Sequence, residues 1–407
     1  MTAESPQPAP PTRSEQLLDR YEEALLGVFG RPQLVIERGE GCYIWDADGK
    51  RYLDLLAGIA VNALGHNHPE LVAAVSKQVG EVAHISNFFT SGAQIELAER
   101  LLAIAGAPEG SRVFFTNSGT EALEGAVKLA RRTGRTGIIA SEGAFHGRST
   151  GALALTAKPA YREPFEPLIP GVSHIPYGDA DAVEDALAAG DISAVVLEPI
   201  QGEGGVIVPP DDYLTRVREL THAARALLIL DEVQTGIGRT GDWFAFQRSG
   251  IQPDAITIAK GLGGGIPVGA LVTFGPEVSG LLQPGMHGST FGGNPLASAA
   301  GLAVLSTIER DGLLRHTTEV GDGFAAAVLA LGHPQIREVR GRGLLRGIAL
   351  SSPIAPAVMG IARADGFIVN AVAPDAIRIA PPLIITAEQL ASFTAALPGI
   401  LDRAVNS

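Results

Sequence analysis

One of the five lysines in the chain lies where an ammonium group is energetically unfavourable. Lys260 ends the run 254–259 (DAITIA) and opens the glycine-rich segment 261–265 (GLGGG). An unpaired ammonium in apolar surroundings neutralises or finds a partner, and a neutral lysine is a nucleophile toward carbonyl carbon. Lys260 is therefore a candidate for chemistry, although a lysine that only closes a strand end would give the same pattern. The other lysines lie in polar contexts, namely Lys50, Lys77, Lys128 and Lys158.

A turn of small residues leads into a helix at the second candidate position. Residues 112–115 (RVFF) predict a strand, 116–120 (TNSGT) a turn and 121–132 a helix. Backbone N–H groups at such a helix N-terminus point at the turn, and the positive end of the helix favours a phosphate. The alternative is ordinary capping of the helix by serine or threonine. The predicted phosphate-binding residues are Ser118, Gly119 and Thr120.

A carboxylate ends another predicted strand. Residues 227–230 (LLIL) are followed by Asp231, at the carboxyl end of a buried strand, where open α/β sheets bind their ligands. Asp231 there would pair with a cationic ring nitrogen. The following 236–241 (GIGRTG) matches the dinucleotide-binding pattern GxGxxG. We reject that match because Asp231 and Glu232 would face the pyrophosphate, and because residues 242–244 (DWF) do not start a helix.

These three features together describe a pyridoxal 5′-phosphate site. They supply a phosphate-binding turn, a carboxylate suited to a pyridinium and a lysine able to hold an aldehyde as a Schiff base. Asp231 would keep the ring nitrogen protonated, and Lys260, once displaced by substrate, would move the proton, which is the chemistry of transamination. Phe145 could stack on one face of the ring with Val233 against the other, although an ordinary core position also explains Phe145. His146 receives no role.

The elements that position these residues predict an α/β fold. Short apolar runs alternate with helices, which indicates a mostly parallel sheet with helices on both faces. The predicted strands are 112–115, 137–140, 194–197, 227–230, 255–258 and 269–273. The part after Pro295 predicts a smaller α+β domain. The expected units are a disordered leader (1–14), an N-terminal segment that packs with the small domain (15–75), a large cofactor-binding domain (76–298) and the C-terminal small domain (299–407).

Composition and charge narrow the class of protein. The 407 residues are nearly half hydrophobic and include 50 glycines, which favours an enzyme of several packed units with many tight turns. A formal net charge of −13, with no lysine or arginine run longer than two residues, argues against nucleic acid and anionic membranes as partners. Cys42, the single cysteine, excludes intrachain disulfides and a cysteine-rich zinc site. We expect no metal, and a cytoplasmic location, because the sequence also lacks a membrane-spanning stretch and the apolar centre of a signal peptide.

Eight short segments follow one another along the chain in a characteristic order. They are 58–69 (GIAVNALGHNHP), 116–121 (TNSGTE), 145–148 (FHGR), 198–205 (EPIQGEGG), 230–241 (LDEVQTGIGRTG), 259–265 (AKGLGGG), 287–295 (HGSTFGGNP) and 377–385 (IRIAPPLII). This set resembles the class III, fold-type I aminotransferases, and among them most closely the acetylornithine aminotransferases. The likeness covers nearly everything after the leader.

The resemblance implies a role for each matching residue. Lys260 is the Schiff-base lysine, Asp231 pairs with the ring nitrogen and Gln234 contacts the ring hydroxyl. Thr290 reaches the phosphate in the partner subunit's site, so that a homodimer with shared active sites is required. The implied cofactor-binding set is Ser118, Gly119, Thr120, Phe145, Asp231, Glu232, Val233, Gln234, Lys260 and Thr290.

The resemblance also implies two arginines that bind substrate carboxylates. Arg148, with Ser289 nearby, holds the distal carboxylate, which lies about as far from the reacting carbon in acetylornithine as in glutamate. Arg378 holds the second carboxylate of glutamate, which is on the reacting carbon, and Glu203 neutralises Arg378 when glutamate is absent. As structural alternatives, Arg148 could cap a loop and Arg378 could pair at a domain interface.

The implied reaction is reversible amino transfer between acetylornithine and 2-oxoglutarate in arginine biosynthesis. Succinyldiaminopimelate, succinylornithine, ornithine and 4-aminobutyrate aminotransferases would share the same site residues, and the sequence does not rank them. An aminomutase or a decarboxylase would need no external keto-acid acceptor, and therefore no Arg378 with Glu203. The paired arginines argue against these two activities.

Overall fold

The computed structural model describes residues 10–407, and most of the predicted leader lies outside this range. Its expected end at residue 14 is wrong, because a helix already begins at Arg13. Thr12 starts this helix: its hydroxyl accepts a hydrogen bond from the amide of Glu15 (3.3 Å), and the Glu15 carboxylate accepts one from the amide of Thr12 (2.8 Å). Such reciprocal capping satisfies two amides that would otherwise lack a partner.

The described residues form strands and helices throughout. The strands are β1 (Ile36–Glu40), β2 (Tyr43–Asp46), β3 (Arg51–Asp54), β4 (Arg112–Thr116), β5 (Gly137–Ser141), β6 (Val172–Ile175), β7 (Ile192–Leu197), β8 (Leu227–Asp231), β9 (Ala255–Ile258), β10 (Gly269–Thr273), β11 (Ile336–Arg342), β12 (Leu345–Leu350), β13 (Phe367–Ile368), β14 (Asn370–Ala373) and β15 (Ala376–Ile379). The helices are α1 (Arg13–Ala24), α2 (Ala57–Ala60), α3 (Pro69–Glu81), α4 (Gly92–Ile104), α5 (Gly119–Arg131), α6 (Thr150–Leu155), α7 (Pro159–Arg162), α8 (Ala180–Ala188), α9 (Tyr213–Ala224), α10 (Pro276–Ser279), α11 (Pro295–Arg310), α12 (Leu313–Ala330), α13 (Ala355–Ala364) and α14 (Ala387–Val405). Four 3₁₀ turns complete the set, at Gly27–Phe29, Glu163–Phe165, Ala245–Ser249 and Lys260–Gly263.

A seven-stranded sheet carries the large domain, with the strand order β4-β10-β9-β8-β7-β5-β6. The strands from β9 to β6 are parallel, whereas β10 runs antiparallel to both of its neighbours. The predicted α/β class with a mostly parallel sheet is confirmed, and all six predicted strands belong to this sheet. The sequence did not predict β6, an edge strand of sequence VSHI that is only partly buried and lacks a continuous apolar run.

The chain also forms two smaller sheets, of which the first joins N-terminal strands to a C-terminal one. Their strand orders are β1-β2-β3-β13 and β11-β12-β15-β14. Strand β3 pairs in parallel with β13, where the Leu53 amide donates to the Gly366 carbonyl (2.8 Å) and the Leu55 amide to the Ile368 carbonyl (3.0 Å). These contacts agree with the predicted packing of segment 15–75 on the small domain, while the bounds of the units stay predictions. Among the described residues, no helix has both the length and the apolar character needed to cross a bilayer.

A left-handed turn follows β3. The four residues of α2 have φ values between 51° and 65°, although three of them are not glycine. Left-handed geometry is unfavourable for residues with a Cβ, so it needs support from the surroundings. The buried Asp54 gives this support, because one carboxylate oxygen accepts hydrogen bonds from the amides of Leu56 and Ala57 (3.0 and 2.8 Å). Its other oxygen contacts His66 Nε2 (2.9 Å).

Helix α12 lies directly against the turn between β11 and β12. Gly321 on this helix is buried, and a Cβ at its position would overlap the backbone carbonyl of Gly343. Gly323, two residues further along, is exposed, and a Cβ there would meet no atom within 4 Å. The close approach of the helix to the turn therefore requires glycine at position 321 but not at position 323.

We expect Gly321→Ala to lower the free energy of unfolding by about 2 kcal/mol, because the helix must move away from the turn. The control Gly323→Ala should raise it by up to about 1 kcal/mol, since alanine favours an exposed helix position over glycine. Thermal and urea unfolding of both variants measure the difference. Equal changes in the two variants would contradict the close contact.

Candidate active site

A cavity of about 400 Å³ opens at the carboxyl ends of the central strands. It is lined by side chains and backbone from the segments that follow β4, β8 and β9, together with the loop after β5. The carboxyl ends of parallel strands meet at one edge of a sheet, which explains how residues distant in sequence converge there. The predicted site residues in its lining are Ser118, Gly119, Thr120, Phe145, Arg148, Asp231, Val233, Gln234 and Lys260.

Lys260 follows β9 and begins a 3₁₀ turn with a left-handed φ of 42°. The enclosing protein removes water from its amine, and this burial lowers the pKa of Lys260 to about 8. The positive charge of Arg378 acts in the same direction, while Glu203 and Asp231 oppose it. At pH 7 roughly a tenth of the amine is therefore unprotonated and available as a nucleophile or base.

Asp231, the last residue of β8, is buried and fixed by three hydrogen bonds. One carboxylate oxygen contacts His146 Nδ1 (2.7 Å), and the other accepts from the Thr257 hydroxyl (3.1 Å) and the Val233 amide (3.0 Å). Burial disfavours protonation of His146, but the hydrogen bond and charge of Asp231 outweigh it and raise the pKa of His146. The two side chains therefore form a buried hydrogen-bonded pair that lines the cavity, and the raised pKa favours the charged form of His146.

The turn between β4 and α5 has no room for larger side chains. A Cβ at Gly119 would lie 2.8 Å from a methyl carbon of Val233, so only glycine fits. Ser118 caps α5 by accepting from the Glu121 amide (3.3 Å), as the capping alternative requires, and also lines the cavity. Thr120 links the turn to the next loop through Ser149 Oγ (2.6 Å). The amides at the N-terminus of α5 thus face the cavity, where an anion is favoured.

Arg148 lines the cavity and rests on an aromatic side chain. Its guanidinium carbon lies 3.4 Å from the ring centroid of Tyr161 and 5.8 Å from that of Phe145. Within residues 10–407, no carboxylate forms an ion pair with Arg148. Stacking of this kind orients a guanidinium and leaves its N–H groups for a ligand.

Arg378, in β15, is held in a cage of polar side chains next to the cavity. It is almost completely buried, and its NH1 donates to Glu203 Oε1 (2.5 Å) and Gln234 Oε1 (3.0 Å). Its NH2 donates to Asn370 Oδ1 (2.8 Å). Gln234 therefore joins the cavity to Arg378. The structure brings Glu203 and Arg378 together, as the sequence analysis expected.

Ser289 and Thr290 do not line this cavity. Ser289 Oγ accepts from Asn117 Nδ2 (3.2 Å) and from the Gly292 amide (2.9 Å), and Thr290 is exposed. Among the described residues no hydrogen bond joins Ser289 to Arg148, and their expected proximity stays a prediction.

Comparisons with known proteins agree with this site. A family model described as "Aminotransferase class-III" matches residues 29–401. An acetylornithine aminotransferase of Mycobacterium tuberculosis is 52% identical over 97% of this chain and 98% of its own length. A crystal structure of acetylornithine aminotransferase from Elizabethkingia anophelis covers 96% of this chain and 100% of its own, at 34% identity and a TM-score of 0.84. The ornithine aminotransferase of Toxoplasma gondii, described with partial occupancy of PLP at its active site, covers 96% of each chain at 30% identity and a TM-score of 0.90.

The chain belongs to the class III aminotransferases. The family resemblance expected from the motifs is thereby confirmed, and the protein is an aminotransferase of the fold-type I architecture. Asp231, at the end of β8, therefore lines the cavity of an aminotransferase.

Glu232 is a further residue expected in the site of this class III aminotransferase that does not line the cavity. Glu232 is fully buried, and its carboxylate binds the Thr235 hydroxyl and the Phe246 amide (2.9 Å). Adjacent side chains of an extended chain point to opposite sides, so Asp231 and Glu232 could not both face the cavity. Burial raises the pKa of Glu232 to about 7. We correct the expected cofactor contact of Glu232 to a role in holding the start of the 3₁₀ turn Ala245–Ser249.

Two residues that the sequence analysis left out belong to the aminotransferase site. His146 binds Asp231, and nothing in its spacing revealed this partner. Glu198 lines the cavity and accepts hydrogen bonds from the amides of Phe145 and Gly202 (both 3.1 Å), while burial raises its pKa to about 7. Glu198 directly follows β7, so the rule that selected Asp231 at a strand's carboxyl end would have found it.

We expect the amine of Lys260 to react with aldehydes at an unusually low pH. On cofactor-free protein, reductive labelling with a small aldehyde should reach half its maximal rate near pH 8, because protonation below that pH removes the nucleophile. A lysine in a model peptide, with a pKa of about 10.4, is the control. Peptide mapping locates the label, and Lys260→Ala should abolish it. A midpoint near that of the peptide would contradict the enclosed, partly neutral amine.

Proposed function

We propose that this protein is a pyridoxal 5′-phosphate-dependent, cytoplasmic aminotransferase of arginine biosynthesis. It exchanges an amino group between N2-acetylornithine and 2-oxoglutarate, giving N-acetylglutamate 5-semialdehyde and glutamate. The observation that carries the proposal is the difference between its two arginines. Among residues 10–407 Arg148 has no carboxylate partner, whereas Arg378 is paired with Glu203.

One unpaired and one paired arginine suit two substrates that both carry a distal carboxylate, while only one of them carries a second carboxylate. Acetylornithine presents one carboxylate, distant from the reacting δ-carbon, and glutamate presents its side-chain carboxylate at about the same distance. Arg148, whose N–H groups pair with no carboxylate of the part of the chain that the structure describes, is suited to bind that group in both substrates. Only glutamate carries a further carboxylate on the reacting carbon. Arg378 is suited to bind it when Glu203 moves away, and Glu203 compensates the buried charge of Arg378 otherwise.

The residues around the cavity fit pyridoxal 5′-phosphate. Ser118, Gly119 and Thr120 would hold the phosphate, since a Cβ at position 119 would fill the space against Val233. Asp231, held by His146, would keep the ring nitrogen protonated. Phe145 and Val233 line the cavity as the pair proposed to enclose the ring, and Gln234 is proposed to contact the ring hydroxyl. When bound, the cofactor supplies an aldehyde that takes up the amino group and a ring that draws electrons from the reacting carbon.

The protein's own groups then orient the substrate and move the proton. Arg148 fixes the distal carboxylate, so the amino-bearing carbon extends toward Lys260. The amine of Lys260, with a pKa of about 8, can take a proton from that carbon and return it at neutral pH. Its position among apolar cavity walls keeps bulk water from competing for the proton.

A homodimer with shared sites is also part of the proposal. The loop that carries Ser289 and Thr290 is bordered by exposed aromatic side chains, notably Phe88 (93% exposed), Phe89 and Phe291. Asn87 joins the two segments by donating to the Ser289 carbonyl (2.7 Å). A contiguous exposed apolar surface of this kind favours burial against a partner. In the proposed dimer Thr290 reaches the partner subunit's phosphate site, and Ser289 approaches the partner's Arg148.

A steady-state assay with 2-oxoglutarate as acceptor tests the substrate assignment. We expect acetylornithine to have a higher kcat/KM than succinyldiaminopimelate, succinylornithine, ornithine and 4-aminobutyrate. Lys260→Ala should reduce kcat by at least about a thousandfold, because the proton-transfer group is lost, whereas Lys77→Ala, at an exposed lysine, should leave it unchanged. A different leading amine would reject the substrate assignment, and turnover without 2-oxoglutarate would reject transamination.

Sedimentation velocity tests the dimer. We expect the holoenzyme to sediment as a dimer and Phe88→Asp to sediment as a monomer with lowered activity, because a carboxylate would be buried in the interface. Val405→Asp is the matched control, since Val405 is an exposed apolar residue on the last helix. A fully active wild-type monomer would reject the shared site.

A further inference from the structure

Arg378 lies between two cross-strand neighbours, one without a side chain and one with a polar side chain. Its neighbour on β12 is Gly347, and its neighbour on β14 is Asn370, directly opposite in the antiparallel register. Directly opposed residues of antiparallel strands project from the same face, so the Asn370 amide lies beside the guanidinium. The hydrogen bond from NH2 to Asn370 Oδ1 (2.8 Å) follows from this register.

The missing side chain at Gly347 lets the turn that carries Glu203 approach Arg378. A Cβ at Gly347 would lie 2.9 Å from the carbonyl oxygen of Gly205 and from Cβ of Val206. The turn that carries Glu203 therefore rests on the sheet where a side chain is missing. Arg340 also holds this turn by donating to the Gly205 carbonyl (2.8 Å).

The partners of Arg378 differ in charge and in freedom to move. Glu203 projects from a turn, and about a third of its side chain is exposed (34%), so it can swing away. Asn370 belongs to a strand that is hydrogen-bonded to β15 and stays when Glu203 leaves. The Asn370 amide accepts a hydrogen bond but carries no charge, so it orients the guanidinium without neutralising it. Among the described residues, Glu203 is the single carboxylate that pairs with Arg378.

We propose that Asn370 is a positioning residue for Arg378 and determines how well the enzyme accepts substrates with a carboxylate on the reacting carbon. The inference rests on the proposed function, in which Arg378 binds that carboxylate in glutamate but has no partner in acetylornithine. Asn370 keeps the guanidinium in one orientation while Glu203 and the substrate exchange places. Because the amide is neutral, the full charge of Arg378 stays available to the incoming carboxylate.

The test compares two amine donors that react with the same form of the holoenzyme. Stopped-flow absorbance of single half-reactions gives an apparent dissociation constant for glutamate and another for acetylornithine. In Asn370→Asp the introduced carboxylate pairs permanently with Arg378 and competes with glutamate. The apparent constant for glutamate should rise roughly ten- to a hundredfold, as expected for a charge-assisted contact, while that for acetylornithine changes less than about twofold.

Two further variants separate positioning from general damage. Asn370→Leu removes the hydrogen-bond acceptor without adding charge. It should raise the apparent dissociation constant for glutamate by roughly three- to tenfold and leave that for acetylornithine nearly unchanged. This variant decides the question if Asn370→Asp does not fold. Asn406→Asp adds the same charge at an exposed site near the C-terminus and should change neither constant.

The role of Asn370 would be overturned if the binding of both amine donors weakened equally. It would also be overturned if the apparent dissociation constant for glutamate were unchanged in both Asn370 variants. The proposed function fails separately, when wild-type enzyme does not react with acetylornithine. In that case the amine donor that does react, if it lacks a carboxylate on its reacting carbon, replaces acetylornithine in the comparison, and the glutamate measurement still tests Asn370.

Discussion

The rest of the structure depends on two cationic side chains, Lys260 and Arg378, that are enclosed close to each other. Lys260 must give up its proton near neutral pH, and its pKa is lowered to about 8 by burial and then by the charge of Arg378. Arg378 is itself buried and is compensated by Glu203. The three groups come from the segment after β9, from β15 and from the turn after β7. The site therefore exists only while the C-terminal sheet is docked on the large one.

A buried guanidinium strengthens this docking. Arg239, in the loop after β8, donates to the carbonyl oxygens of Leu344 and Pro381, which flank β12 and β15. Burial lowers its pKa to about 9, so the charge is held at a cost in solvation. Removing its backbone partners would leave that charge unsatisfied, which is far more destabilising than the loss of one neutral hydrogen bond. Arg239 thus ties the C-terminal sheet to the edge of the large sheet where the cavity lies.

The two residues central to the chemistry are recognisable from their neighbours along the chain, whereas several of their partners depend on the fold. Lys260 and Asp231 were recognisable because each directly follows a buried apolar run at the carboxyl end of a strand. The family resemblance implies a cofactor contact for Glu232, but the alternation of side chains at the strand end turns it away from the side that Asp231 faces. The partners of Asp231 and Arg378 come from loops and strands far along the chain, and only the register of the sheets brings His146 and Asn370 to them.

The pairing of β3 with β13 has a consequence for folding during synthesis on the ribosome. The first three strands emerge early from the ribosome, but the strand that completes their sheet lies near the other end of the sequence. Until residues 367–368 have been translated, one side of β3 presents backbone groups without their final partners, and such an edge can pair with other chains. The time needed to translate the residues between β3 and β13 therefore sets a lower limit on how long that edge stays open.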